Sequence, residues 1–127
     1  MRKISIFGAT GSIGESAFDL ISRQGGPLAY ETVALTGGYN VVRLAQMAVE
    51  LRAKCVVTAF DACLPELRGA LNSYGARAQS IKASAGAQAL IEAADQPCDW
   101  ALSAIIGAAG LAPGFRVLLH GGTLALA

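Results

Sequence analysis

Three glycines spaced three apart, Gly8, Gly11 and Gly14, enclose two hydroxyls, Thr10 and Ser12, in the segment GATGSIG. The chemistry this set suits is the holding of a phosphate. A turn of this kind aims backbone N–H groups and the positive end of a helix at one place, and the hydroxyls add donors. Gly8 permits a sharp turn, through positive φ where one is needed. Gly11, without a Cβ, lets a diphosphate approach the main chain, and Gly14 lets the helix that follows pack closely on the strand before it. Ser12 also reads as the N-cap of that helix. The spacing is a relative of the G-x-G-x-x-G dinucleotide fingerprint, and an ordinary strand-to-helix turn is the plain alternative.

A second set lies at Leu35 to Val41, LTGGYNV. In a doubly wound fold the end of the second strand meets the adenosine ribose. An acid there binds the 2′-hydroxyl of NAD, whereas NADP sites omit it and supply a cation or polar donors. This segment has no carboxylate, so it favours NADP. Gly38 offers an open N–H, Asn40 an amide, and Arg43 a nearby cation; a plain turn is again the alternative. A third segment, Ala104 to Gly110 (AIIGAAG), would border the nicotinamide side of the same crevice. On its own it reads better as close helix–strand packing.

Other reactive side chains form no constellation. Glu15, Asp19 and Arg23 make an i, i+4 ladder that reads as a solvated face rather than a catalytic carboxylate pair. Cys55, Cys63 and Cys98 are odd in number and lack a C-x-x-C pair, which predicts neither a disulfide framework nor a zinc site. His120, the one histidine, ends a helix, where the dipole favours its protonated form. No Ser–His–Asp triad, no metal site and no catalytic residue is assigned.

The elements that must position the two turns follow from periodicity. Ile4 to Phe7 reads as a strand, and Ile13, Ala17, Leu20 and Ile21 repeat at helical spacing to about Gln24, before Gly25, Gly26 and Pro27. Tyr30 to Thr36 is a second strand, and Val41, Leu44, Ala45, Ala48 and Leu51 mark a second helix. Cys55 to Ala59 is a third strand; Asp61 then caps a helix reaching about Tyr74. A weaker strand near Ala78 to Lys82 precedes a helix from Ser84 to Ala94. Trp100 to Ile106 is a buried strand, followed by a turn at Gly107 to Gly110, a helix over Leu111 to Leu119 and a strand from Thr123 to Ala127. This alternation predicts an α/β fold: a doubly wound, mostly parallel, Rossmann-like sheet in a single domain, 1–127. The final apolar strand lacks a polar tail, so we read the chain as the N-terminal piece of a longer protein.

Composition agrees with such a domain. Of 127 residues, 54% are hydrophobic and 15% charged, and the net charge of +1 leaves no basic footprint for nucleic acid or an anionic membrane. No apolar run approaches the roughly 18 residues that span a bilayer, and the N-terminus lacks the apolar core of a signal peptide. The expectation is a soluble cytoplasmic protein.

Together GATGSIGESAFDLI, VALTGGYNV and SAIIGAAGL resemble, in order and spacing, the 1-deoxy-D-xylulose 5-phosphate reductoisomerase family. The resemblance covers essentially the whole chain, as the family's N-terminal NADPH-binding domain. It implies a homodimeric enzyme of non-mevalonate isoprenoid biosynthesis. Such an enzyme uses a divalent metal (Mn, Mg or Co) to rearrange 1-deoxy-D-xylulose 5-phosphate and NADPH to reduce the product to 2-C-methyl-D-erythritol 4-phosphate. Thr10, Gly11, Ser12 and Ile13 would hold the diphosphate, and Gly38, Tyr39 and Asn40 the adenosine 2′-phosphate region. Tyr39 departs from the Lys or Arg often found at its position. That removes a charge-assisted contact of about 1.5–3 kcal/mol at most, with Arg43 as a candidate substitute. The metal and substrate ligands of the family fall beyond Ala127, so the chain alone is expected to bind cofactor without turnover. Two other readings are a stand-alone NAD(P)-binding sensor and the cofactor domain of another G-x-T-G-x-x-G reductase.

Overall fold

A computed structural model of the chain describes residues 1–104 and the strand at 123–126. Its framework is a six-stranded sheet in which every neighbouring pair runs parallel. The strands are β1 (Arg2–Phe7), β2 (Tyr30–Gly37), β3 (Cys55–Thr58), β4 (Lys82–Ala85), β5 (Trp100–Ser103) and β6 (Thr123–Leu126), in the spatial order β4-β3-β2-β1-β5-β6. From β1 the chain builds outward to β4, then returns to place β5 on the other side of β1. The β1/β5 boundary is therefore where strand order reverses, the place at which open α/β sheets bind ligands beyond the carboxyl ends of their strands.

Alternation along the strands feeds two cores. Ile4, Ile6, Leu35, Val56 and Leu102 face one side, where they meet Phe18 and Ile21 of α1 (Ser12–Arg23), Leu44 and Met47 of α2 (Val41–Leu51), and Leu67 and Leu71 of α3 (Leu64–Asn72). Phe7, Ala34, Val57 and Ala101 face the other side, against Ala93 and Ala94 of α4 (Ala87–Asp95). Burying side chains such as Leu44 and Met47 contributes about 1.5–3 kcal/mol each relative to exposure, so α2 is held chiefly by this packing.

The doubly wound parallel sheet is as the sequence predicts, but several boundaries move. The strand read at Ala78 to Lys82 is instead a 3-10 turn, Gly75–Ala78, followed by β4 at Lys82–Ala85, and the next helix starts at Ala87 rather than Ser84. KASA carries no β-branched residue, so pairing with β3, Cys55 on Lys82 through Thr58 on Ala85, makes it a strand where propensity does not. Asp61 is not a helix N-cap. It opens a 3-10 turn, Asp61–Cys63, and α3 begins at Leu64 without a side-chain cap and ends at Asn72. The Asp61 carboxylate instead lies over Gly86, whose φ of +96° turns the chain into α4; a Cβ on Gly86 would stand 2.8 Å from Asp61 Oδ1.

In α1 the buried face is Gly14, Phe18 and Ile21, whereas Ile13 and Leu20 are exposed, because the glycine rather than the isoleucine is pressed against the strand. The strand read at Trp100 to Ile106 is described to Ser103. Ile105, Ile106, the Gly107–Gly110 turn, the helix at 111–119, His120 and Ala127 lie outside the described residues.

Candidate cofactor-binding site

The β1–α1 turn is fixed by main-chain bonds. Gly8 takes φ +84°, the left-handed region that favours glycine. The N–H groups of Gly8 and Ala9 both donate to the Thr36 carbonyl, at 3.1 and 2.7 Å, and Gly8 N–H also reaches Thr36 Oγ1 at 3.0 Å. The end of β2 therefore dictates where the turn stands. Gly14 is required by packing: a Cβ there would be 2.5 Å from the Ala9 carbonyl oxygen and would also collide with the Gly8 carbonyl oxygen. Gly11 differs. Its φ of −76° suits any residue, and among the described residues a Cβ would meet only Gly8 O, at an ordinary 3.6 Å. Nothing among the described residues requires a glycine at that exposed position, where the bare main chain is open to a ligand.

Gly11, in extended conformation, is the N-cap residue of α1, and its carbonyl accepts the first helical bond from Glu15 N–H at 2.8 Å. Ser12 is thus not the N-cap. It sits one residue inside the helix, with its hydroxyl on the exposed side. Among the described residues, the N–H groups of Thr10, Ser12 and Ile13 have no backbone acceptor, which leaves the positive end of α1 free for an anion.

The β2–α2 turn is anchored differently. Thr58 Oγ1 donates to the Gly38 carbonyl at 2.9 Å, and Ala59 N–H to the Gly37 carbonyl at 2.8 Å, so the end of β3 holds it. Asn40 caps α2, its Oδ1 accepting from Arg43 N–H at 3.3 Å. With Oδ1 engaged in the cap, the Asn40 amide retains its NH2 group as a donor. The two turns also meet: a Cβ on Gly37 would be 3.1 Å from Thr10 Oγ1. All seven residues read from the sequence therefore lie at two adjoining turns beyond the carboxyl ends of β1 and β2: Thr10 and Gly11 in the first turn, Ser12 and Ile13 at the start of α1, and Gly38 to Asn40 in the second turn. On the other side of β1, Ala104 N–H donates to the Phe7 carbonyl at 2.7 Å, which brings the chain leaving β5 to the same edge.

Arg43 is not the free cation that the sequence suggests. Its Nε and Nη2 donate to the two oxygens of Glu15, at 2.9 and 2.8 Å, its Nη1 to Gln46 Oε1 at 2.9 Å, and the guanidinium lies 4.9 Å from the centre of the Phe18 ring. This hydrogen-bonded pairing holds the Glu15 carboxyl below its usual range. Glu15 thus leaves the expected ladder to join α1 to α2, while Asp19 and Arg23 pair in solvent, 3.0 Å apart. Burial pushes the Cys55 and Cys98 thiols up, away from the thiolate a nucleophile needs. A groove of about 490 Å³ lined by Lys54, Cys55, Lys82 and Glu92 lies at the amino ends of β3 and β4, remote from the two turns. Sequence reasoning missed Thr36, Thr58 and Phe60. Each acts through a contact between strands distant in the chain.

Known proteins match this arrangement closely. Residues 4–127 match the family profile described as 1-deoxy-D-xylulose 5-phosphate reductoisomerase. The curated reductoisomerases of Cereibacter sphaeroides (strain ATCC 17025) and Paracoccus denitrificans are each 61% identical over all 127 residues. The chain spans about a third of the length of such relatives, 31% in both cases. Among solved structures, the Zymomonas mobilis reductoisomerase in complex with NADPH superposes with a TM-score of 0.90 at 42% identity, over 99% of this chain and 32% of that one. A reductoisomerase in complex with NADPH, fosmidomycin and magnesium gives 0.84 at 31% identity, over 98% of this chain and 29% of that one. With matches of this extent to its sequence and its fold, the chain belongs to the 1-deoxy-D-xylulose 5-phosphate reductoisomerase family.

Proposed function

We propose that this chain is the NADPH-binding domain of an enzyme that rearranges and reduces 1-deoxy-D-xylulose 5-phosphate to 2-C-methyl-D-erythritol 4-phosphate. The observation that carries the reading is Gly11, a glycine that no packing contact among the described residues requires, set beside N–H groups at the start of α1 that have no backbone acceptor among those residues. Thr10, Gly11, Ser12 and Ile13 hold the diphosphate. Gly38, Tyr39 and Asn40 hold the adenosine 2′-phosphate end, where an acid-free turn offers neutral donors and no repulsion. Bound NADPH supplies the hydride. The residues here bind and orient it, and none is assigned a catalytic task. Among the described residues no group of three His, Cys, Asp or Glu is placed to hold a metal ion. A homodimeric parent enzyme, implied by the family resemblance, and a cytoplasmic location, the expectation read from the sequence, complete the proposal.

Fluorescence titration with NADPH and NADH tests it. Binding of both, with NADPH the tighter, is the expected result; binding of neither overturns it. A protein carrying this chain as its cofactor domain should oxidise NADPH when given 1-deoxy-D-xylulose 5-phosphate and Mn²⁺, whereas the 127-residue chain alone should not.

A further inference from the structure

Two exposed rings stand at the second turn, and cofactor binding as described so far uses only one of them. Tyr39 is 75% exposed, and Phe60, two residues beyond the anchoring Thr58, is 38% exposed. The rings stack with centroids 4.0 Å apart and planes 13° from parallel. Phe60 is fixed from below: its N–H donates to Thr58 Oγ1 at 3.3 Å, and its ring edge lies against Gly38, where a Cβ would be 3.3 Å from Phe60 Cε2. One face of Tyr39 is therefore covered by Phe60, and the exposure of the residue places the other face in solvent.

Such a pair gains little by itself. Aromatic rings favour offset or edge-to-face contact with centroids about 4.5–7 Å apart, and two large apolar rings left in water are unfavourable. A flat, polarisable base laid on the open face would supply the missing contact. The electrostatics agree. Arg43, the cation nearest in sequence to this turn, is held by Glu15 and Gln46. With that cation engaged, stacking and neutral donors are what the turn itself offers the adenosine.

We propose that Phe60 is a positioning residue of the adenosine subsite: it holds Tyr39 flat so that the free face of Tyr39 stacks on the adenine of the dinucleotide. This rests on the reading of the chain as a cofactor-binding domain. Adenine is common to NADPH and NADH, so the stack raises affinity for both and does not choose between them.

The test is titration of the chain with NADPH and with NADH before and after Phe60→Leu, which keeps apolar bulk and removes the ring. Both affinities should fall about five- to tenfold with their ratio unchanged, and Phe60→Tyr should restore them. Tyr39→Leu, at a position too exposed to govern folding, should reproduce the parallel loss. Unchanged affinities in Phe60→Leu or Tyr39→Leu overturn the inference while leaving the cofactor reading intact. A loss confined to NADPH also overturns it, because the 2′-phosphate and not the adenine would then be the group affected. Failure of the unsubstituted chain to bind either dinucleotide overturns the cofactor reading and this inference with it.

Discussion

The two turns that make the site are built by different means. At the β1–α1 turn the backbone does nearly everything: a left-handed glycine, two N–H groups on one carbonyl, and a helix start pressed against a strand through Gly14. At the β2–α2 turn side chains do it, with the Thr58 hydroxyl, the Asn40 cap and the Tyr39–Phe60 stack each fixing one part. Backbone architecture tolerates little change, because its contacts have no rotamers to adjust. Side-chain architecture can be altered one property at a time. The first turn, the proposed diphosphate end, is accordingly expected to be rigid in sequence, and the second, the proposed adenosine end, to be tunable.

The largest expected effect breaks the first turn. Gly14→Ala forces a methyl into the Gly8 and Ala9 carbonyls, so α1 must shift; a loss of about 3 kcal/mol in urea unfolding is expected, the upper end of overpacking. Gly11→Ala sharpens the contrast within the same turn. Its stability should change by less than about 1 kcal/mol, because both φ and space allow a methyl. NADPH affinity should nevertheless fall about tenfold or more, as expected when a contact with the ligand is obstructed.

At the second turn Asn40→Asp keeps an oxygen for the cap and places a negative charge beside the proposed 2′-phosphate position. Folding stability should hold to within about 0.5 kcal/mol, while NADPH affinity drops about tenfold and NADH affinity much less. Asn40→Ala, by contrast, should lose about 1 kcal/mol of stability.

The smallest effect concerns the link between the two helices that follow the turns. The carboxyl of Glu15 is held below its ordinary value of 4.5 by its hydrogen bonds from Arg43. A folded-state value lowered in this way stabilises the fold above the unfolded value, and that contribution is lost as pH falls through the folded one. The pair is about one-third exposed, so the amount is at most about 0.5–1 kcal/mol. Glu15→Gln should remove that part of the acid dependence, measured as the difference in unfolding free energy between pH 7 and pH 3.

The contrast between the turns also explains what could be read from the chain directly. Gly8, Gly11 and Gly14 announce their turn because glycine is the residue type that backbone geometry itself selects, and a strand on one side with a helix on the other leaves few alternatives. The acid-free LTGGYNV segment was legible for the same reason, being a property of residue type. Strand β4 was misplaced by four residues because KASA has no strand signal until β3 pairs with it. Arg43 was misread because Glu15, 28 residues earlier, captures it across two helices. Phe60 carried no signal in its own neighbourhood, and only β3 lying beside β2 brings it to Gly38 and Tyr39.

By itself, then, the sequence determined the alternation of strands and helices, the parallel sheet and the residues of both turns, since each follows from local pattern and backbone permission. The tertiary structure alone decided which of those residues are free to meet a ligand. Gly14 is taken up by packing and Gly11 is open, while Arg43 is neutralised by Glu15 and Tyr39 is braced by Phe60. Those outcomes depend on contacts between residues far apart in the chain, and such contacts exist only once the sheet has placed its strands side by side.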